Sequence, residues 1–205
     1  MGDKTKTTII LIRHGQTDWN AARRWQGSTD VPLNATGRGQ ARALAARMVP
    51  WPIDAIYSSD LTRASETAET LGRALNIKPV LDEGWRERAL GVLEGMTRDE
   101  VQEKYADIVV SRMFIEAPGG ETYSQVKDRV VAAFDRIMQN HSGQTCVVVS
   151  HSGTLRVLIS YVLELPEKIY APFSLNGNTG ISRIEITDGG HAQLTLLNDR
   201  SHIEG

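Results

Sequence analysis

Two hydrophobic periods alternate along this chain. Thr7 to Ile12 is a short, β-branched run, which predicts a buried strand. After Thr36, Ala41, Leu44, Ala45 and Met48 recur at helical spacing, and Pro50 and Pro52 stop that helix. Ile53 to Tyr57 predicts a second strand, which ends in the polar turn Ser58-Ser59-Asp60. Leu61, Ala64, Ala68, Leu71 and Leu75 then mark another helix. Lys78 to Leu81 reads as a short edge strand and Thr97 to Tyr105 as a helix. Beyond the break at Pro118-Gly119-Gly120, Thr122 opens a helix with Val126, Val130, Ala133, Phe134 and Ile137 on one face.

Thr145 to Ser150 predicts a further buried strand. It runs into His151-Ser152-Gly153 and an apolar helix from Leu155 to Leu163, closed before Pro166. Ile181 to Ile186 and Gln193 to Leu197 alternate around Asp188-Gly189-Gly190, the pattern of a hairpin. Residues 16 to 35 carry no period and predict a long loop, and such loops in compact domains are usually functional. Alternating strands and helices imply a layered α/β domain. No repeat, low-complexity tract or linker divides residues 1–205, so a single domain is expected.

Composition narrows the function classes. With 205 residues and 40% apolar content the chain can bury one sizeable core. Its formal net charge of -2 gives no global attraction to nucleic acid, so any anion must be held by a local cluster of arginines. The single cysteine, Cys146, lies in the strand Cys146-Val147-Val148-Val149 and reads as a buried, inert thiol. One thiol makes no intrachain disulfide, which fits a reducing compartment. Ile9 to Ile12 is too short for a signal-peptide core or a membrane span. Met1-Gly2 lacks the Ser or Thr that myristoylation needs, because position 6 is Lys6. A cytoplasmic protein without membrane or nucleic-acid partners is the expectation.

Three strand ends carry the chemistry. The first strand delivers Arg13 and His14, and the strand after Thr145 delivers His151 with a helix directly behind it. Open α/β sheets bind ligands at the carboxyl ends of their strands. If these two strands are parallel neighbours, both histidines face one crevice. The third end, Tyr57-Ser58-Ser59-Asp60-Leu61-Thr62-Arg63, places Arg63 near a helix start, where the helix dipole and a guanidinium fork both favour phosphate. A metal site is the rival reading of two converging histidines. No His-Glu-x-x-His pattern or cysteine partner supports it, and Arg13 would repel a cation.

Leu11-Ile12-Arg13-His14-Gly15-Gln16-Thr17 resembles the signature of the histidine phosphatase superfamily, the phosphoglycerate mutase-like family. The similarity continues through Asn20, Gln26-Gly27, Pro32-Leu33, Gly37, Ser58-Ser59, Arg63, Glu87, Gly91, Glu94-Gly95, Gly119-Gly120-Glu121 and Ser150-His151. The resemblance implies a three-layer α/β/α sandwich with a mostly parallel, mixed central sheet. It implies His14 as the nucleophile that becomes phosphohistidine, and Arg13, Arg63 and His151 as the cationic pocket. It implies Glu87 as the proton donor, Asn20 and the backbone of Ser152 as phosphate contacts, and Gln26 and Gly27 as the entrance. No cofactor and no metal is implied, and the partner is a small phosphorylated metabolite.

The chemistry suits these residue types. A phosphate monoester dianion repels an anionic attacker, so a neutral imidazole is a fitting nucleophile. His14 must then be unprotonated at its attacking nitrogen, and a backbone carbonyl is the expected partner of the other. Two arginines and a protonated His151 would meet the charge on the phosphoryl oxygens. Glu87 can protonate the leaving alkoxide only if it carries a proton near neutral pH. A nearby dianion favours that, and Arg86 and Arg88 oppose it if they point inward.

The chain departs from the mutases of the family. They carry Tyr where Leu90 stands, and a longer insertion with an adjacent arginine pair. Here Val101 to Ala117 holds only Arg112. Arg98 matches a mutase lysine, so a second anionic group on the substrate stays open. The leading reading is a metal-independent phosphomonoester hydrolase, with a phosphoglycerate mutase and a non-catalytic phospho-ligand binder as alternatives. Residues 85 to 117 and the stretch near His202 are expected to choose the substrate. The oligomeric state is open, a homodimer included.

Overall fold

The computed structural model describes residues 6–106, 117–166 and 173–204. Met1-Gly2 and Arg112 lie outside them. Six strands form one mixed sheet: β1 (Lys6–Arg13), β2 (Ala55–Ser58), β3 (Val80–Leu81), β4 (Thr145–Ser150), β5 (Ile181–Thr187) and β6 (Ala192–Asp199), in the order β3-β2-β4-β1-β5-β6. The pairs β3–β2, β2–β4 and β4–β1 are parallel, whereas β1–β5 and β5–β6 are antiparallel. The helices are α1 (Asp18–Ala21), α2 (Ala35–Met48), α3 (Thr62–Leu75), α4 (Arg98–Lys104), α5 (Tyr123–Asn140) and α6 (Ser152–Val162). The expected hairpin is β5–β6, and the expected long loop holds the one-turn α1.

Side chains alternate across a strand, and β1 and β4 are apolar on both faces. Ile9, Leu11, Cys146 and Val148 pack on one side with α5 and α6 residues such as Val130, Ile137, Leu155 and Leu158. Ile10, Ile12, Val147 and Val149 pack on the other with Leu44 and Met48 of α2 and Ala64, Ala68 and Leu71 of α3. The result is the expected three-layer sandwich. Cys146 is fully buried, and burial pushes its thiol up to about 12, so it is the inert core residue that the strand pattern predicts. Among the described residues no helix is long and apolar enough to cross a membrane.

The register fixes the crevice. Arg13 stands opposite Ser150 on the neighbouring parallel strand, so His14 and His151 leave the sheet side by side at its carboxyl edge. Around β1 the chain then turns back tightly on α2. Asn34 caps α2 through a hydrogen bond from the Gly37 N–H (2.9 Å), and Asn34 N–H bonds to Gln16 O (3.0 Å). A Cβ on Gly37 would lie 2.0 Å from Gln16 O, and one on Gly15 would lie 2.6 Å from Gly37 O. The turn after His14 therefore needs glycine on both sides for a backbone-to-backbone approach.

Two substitutions in α2 separate that contact from helix propensity. Gly37→Ala should lower stability by ~1–3 kcal/mol, because neither backbone segment can yield to the new methyl. Gly39→Ala meets only Arg42, at 3.9 Å, and should raise stability by ~0.5–1 kcal/mol. Urea unfolding midpoints measure both, and shifts of the same sign would refute the packing argument.

Candidate active site

Beyond the ends of β1, β2 and β4 lies a cavity of about 740 Å³. Arg13, His14, Asn20, Gln26, Gly27, Arg63, Glu87, Arg98 and Ser152, all singled out from the sequence, line it. His151 is fully buried and sits behind that wall, its ring centroid 5.1 Å from that of His14.

His14 is held in one tautomer. Its Nδ1 lies 2.6 Å from Gly15 O. A carbonyl can only accept, so Nδ1 carries the proton and Nε2 keeps its lone pair. The expected backbone carbonyl is therefore in place. Burial first, then the charges of Arg63 and Arg13, hold the His14 pKa well below the usual histidine range. The ring is neutral at physiological pH, as a nucleophile must be.

His151 corrects an expectation. Arg63 donates from Nε to His151 Nδ1 (3.2 Å), and His151 Nε2 faces Ser59 Oγ at 2.9 Å. An arginine N–H can only donate, so Nδ1 is bare and the ring is neutral in the open pocket. Burial, followed by Arg63 and His14, holds its pKa well below the ordinary value. The sequence counts His151 as a cation but does not reveal that a guanidinium is aimed at its lone pair. The positive charge rests on arginine alone.

Arg63, near the start of α3, is 0% exposed. Its NH1 donates to Thr29 O (2.7 Å) and its NH2 to Gly27 O (2.8 Å). Burial lowers its pKa to about 10, which leaves it charged at neutral pH. Arg13 donates to Gly177 O at 2.9 Å, while its buried Nε has no partner among the described residues. Asn20 Oδ1 accepts from Thr17 N–H (3.2 Å) and Asn178 Nδ2 (3.1 Å), which orients the amide and leaves its NH₂ as a donor.

Glu87 caps α6. Its oxygens accept from the N–H groups of Arg88 (2.9 Å), Gly153 (3.0 Å) and Thr154 (3.2 Å). His151, at the cap position itself, makes no side-chain capping bond to the helix. Glu87 spends the second and third N–H groups of that helix, and Ser152 N–H keeps no acceptor among the described residues. Arg86 turns away to Asp60, at 2.8 and 2.5 Å. Arg88 donates from Nε to Glu121 O at 2.8 Å.

Several contributors were not legible as such. Asn178 donates to His14 O (3.0 Å), and Thr179 N–H to Arg13 O (3.0 Å), so the loop before β5 braces the end of β1. The turn composition of Asn176-Gly177-Asn178 was its only signal. Arg23, Arg24 and Arg156 join Arg98 around the cavity. The extra cations therefore come from outside the segment before Pro118, where the sequence reading looked for them. Arg24 is tied to Gly95 O (2.6 Å) and Glu100 (3.2 Å). His202, in the stretch expected to help choose the substrate, sits half-buried against Thr179 Oγ1 (3.0 Å) and is not among the residues lining the cavity. Among the described residues no cluster of three or more His, Cys, Asp or Glu is placed to hold a metal ion.

Comparison with known proteins places this geometry. The family model of the histidine phosphatase superfamily (branch 1) matches residues 9–200. A phosphoglycerate mutase-like protein from Arabidopsis thaliana is 36% identical over 96% of this chain and 86% of its own length. A metal-independent phosphoserine phosphatase from the same plant is 39% identical over 74% of this chain and 67% of its own. The crystal structure of a histidine-to-alanine variant of Entamoeba histolytica phosphoserine phosphatase, in complex with phosphoserine, superposes with a TM-score of 0.82. It is 34% identical and covers 96% of this chain and 99% of its own.

The two neutral, buried histidines make stability pH-dependent. Their folded pKa values lie below the unfolded value of about 6.5. Below that pH the unfolded chain takes up protons that the folded one refuses, so stability falls as pH drops. The melting temperature should decline between about pH 7.5 and 5.5, and less steeply in His14→Gln, which has one such group fewer. Identical slopes would mean that His14 titrates normally in the fold.

Proposed function

The chain belongs to the histidine phosphatase superfamily, and from that premise we propose that it hydrolyses phosphomonoesters through a phosphohistidine at His14, without a metal ion. The observation that carries this reading is the state of His14: neutral, with Nδ1 tied to Gly15 O and its lone pair on Nε2, in a cavity lined by Arg13 and Arg63.

His14 Nε2 attacks phosphorus and the P–O bond to the leaving alkoxide breaks. Glu87, on the cavity wall, gives that alkoxide a proton. Arg13, Arg63 and the NH₂ of Asn20 meet the charge on the transferring oxygens. Water then attacks phosphohistidine, Glu87 recovers the proton, and phosphate leaves. His151 donates from Nε2 to Ser59 and accepts from Arg63, so it orients the guanidinium.

A small phosphorylated metabolite with a second acid group fits the outer cavity. Arg23 and Arg98 line it, and their side chains make no hydrogen bond or ion pair among the described residues. The bridge between Arg24 and Thr97 brings their two segments together. The phosphoserine held by the Entamoeba structure has such a group. Transfer to water is favoured over mutase chemistry because Leu90 stands where similar mutases carry Tyr. A mutase must also shield its phosphoenzyme from water while the intermediate reorients.

His14→Ala should remain folded and lose at least ~10³-fold in turnover. Wild type quenched during turnover should carry an acid-labile, base-stable phosphoryl label, and EDTA should leave the rate unchanged. Normal turnover in His14→Ala would end the covalent mechanism.

The second test supplies 3-phosphoglycerate with a trace of 2,3-bisphosphoglycerate. Inorganic phosphate should appear faster than 2-phosphoglycerate, and Arg23→Ala should slow its release more than release from glycerol 3-phosphate. Mutase turnover above phosphate release would reverse the assignment.

A further inference from the structure

Arg63 is buried and charged, yet no carboxylate pairs with it among the described residues. Its direction is set by His151 and by two backbone carbonyls, Gly27 O and Thr29 O. Both carbonyls belong to a loop without regular structure. A loop can aim a guanidinium only if it is itself held.

Glu94 holds it. One carboxylate oxygen accepts from Ser28 N–H (2.9 Å), Ser28 Oγ (3.1 Å) and Leu90 N–H (2.9 Å). The other accepts from Thr29 N–H (3.0 Å) and from the Thr29 hydroxyl. A Cβ on Gly27 would lie 2.1 Å from the first oxygen, so the loop closes directly on the carboxylate. We propose that Glu94 is a positioning residue for phosphoryl transfer: it fixes the Gly27–Thr29 carbonyls and through them aims Arg63 at the phosphoryl oxygens. Only a carboxylate can do this, because every donor around it points inward and a carboxamide would turn an N–H toward one of them. Burial alone would raise the pKa of Glu94, but the bonds from Thr29, Leu90 and Ser28 outweigh it and the net shift is downward. The anion persists in the fold.

This inference rests on the proposed role of Arg63, so its test separates the two. In a double-mutant cycle, Glu94→Gln, Arg63→Ala and the double variant are assayed on p-nitrophenyl phosphate, with melting temperatures measured for all. Glu94→Gln should lower kcat/KM by ~10–100-fold, the scale of a small misplacement of a catalytic group, and should weaken inhibition by inorganic phosphate. Introduced into Arg63→Ala it should cost less than ~3-fold, because residues acting as one unit are non-additive. Equal losses in both backgrounds would overturn the proposal and leave Glu94 a merely structural residue. Full activity in Arg63→Ala would instead overturn the role of Arg63. Should Glu94→Gln fail to fold, Thr29→Val removes one donor to the carboxylate and keeps Thr29 O. It should act in the same direction and only when Arg63 is present. The Arg63 Nε–H resonance, identified by its absence in Arg63→Lys, should shift in Glu94→Gln; an unchanged signal would also overturn the proposal.

Discussion

A fully buried guanidinium with no ion-pair partner among the described residues is the constraint on which this site depends. Burying a charge is expensive unless it is paired or fully hydrogen-bonded. Arg63 meets that demand in part, with two loop carbonyls and one imidazole lone pair. Glu87, Asp30 and Glu94 favour its charge from a distance, and none forms an ion pair with it among the described residues. The open pocket is therefore built for an anion, and its donors need no reorganisation when the anion enters.

The same burial keeps both histidines neutral. Desolvation first, and then the charges of Arg63 and Arg13, disfavour the doubly protonated form of His14 and His151. For His14 that leaves a lone pair on Nε2. For His151 it produces an acceptor for Arg63, with Ser59 receiving its one N–H. Each ring is fixed by what its Nδ1 meets, the Gly15 carbonyl for His14 and the Arg63 N–H for His151.

The scaffold delivers these groups through backbone features. Parallel pairing of β1 with β4 places two strand ends together, and the close approach of Gly15, Gln16 and Gly37 sets the path away from His14. Asp30 caps α3 by accepting from Thr62 N–H (2.7 Å). Thr67 Oγ1 donates to Arg63 O (2.7 Å) and accepts from Gly15 N–H (3.1 Å). The helix that carries Arg63 and the turn after His14 are thereby tied to each other.

The order of elements was legible in the chain because it rests on local physics. Periods of two and 3.6 mark strands and helices, and prolines and glycines mark their ends. The clustering of Arg13, His14, Arg63 and His151 was legible because parallel strands must end on one edge of the sheet. Only the tertiary structure decided what each of those groups does there. The tautomer of His151 depends on an Arg63 N–H that the topology aims across 88 residues of chain, and its neutrality on the burial that the fold imposes. Glu94 reads in sequence as a polar residue between glycines and becomes an anchor only when residues 28 and 29 fold onto it. Arg23 and Arg98 come together through a bridge between segments far apart in sequence. Hydrophobic periodicity is a property of neighbours along the chain, whereas charge state and aim are set by whatever the fold brings within hydrogen-bonding distance.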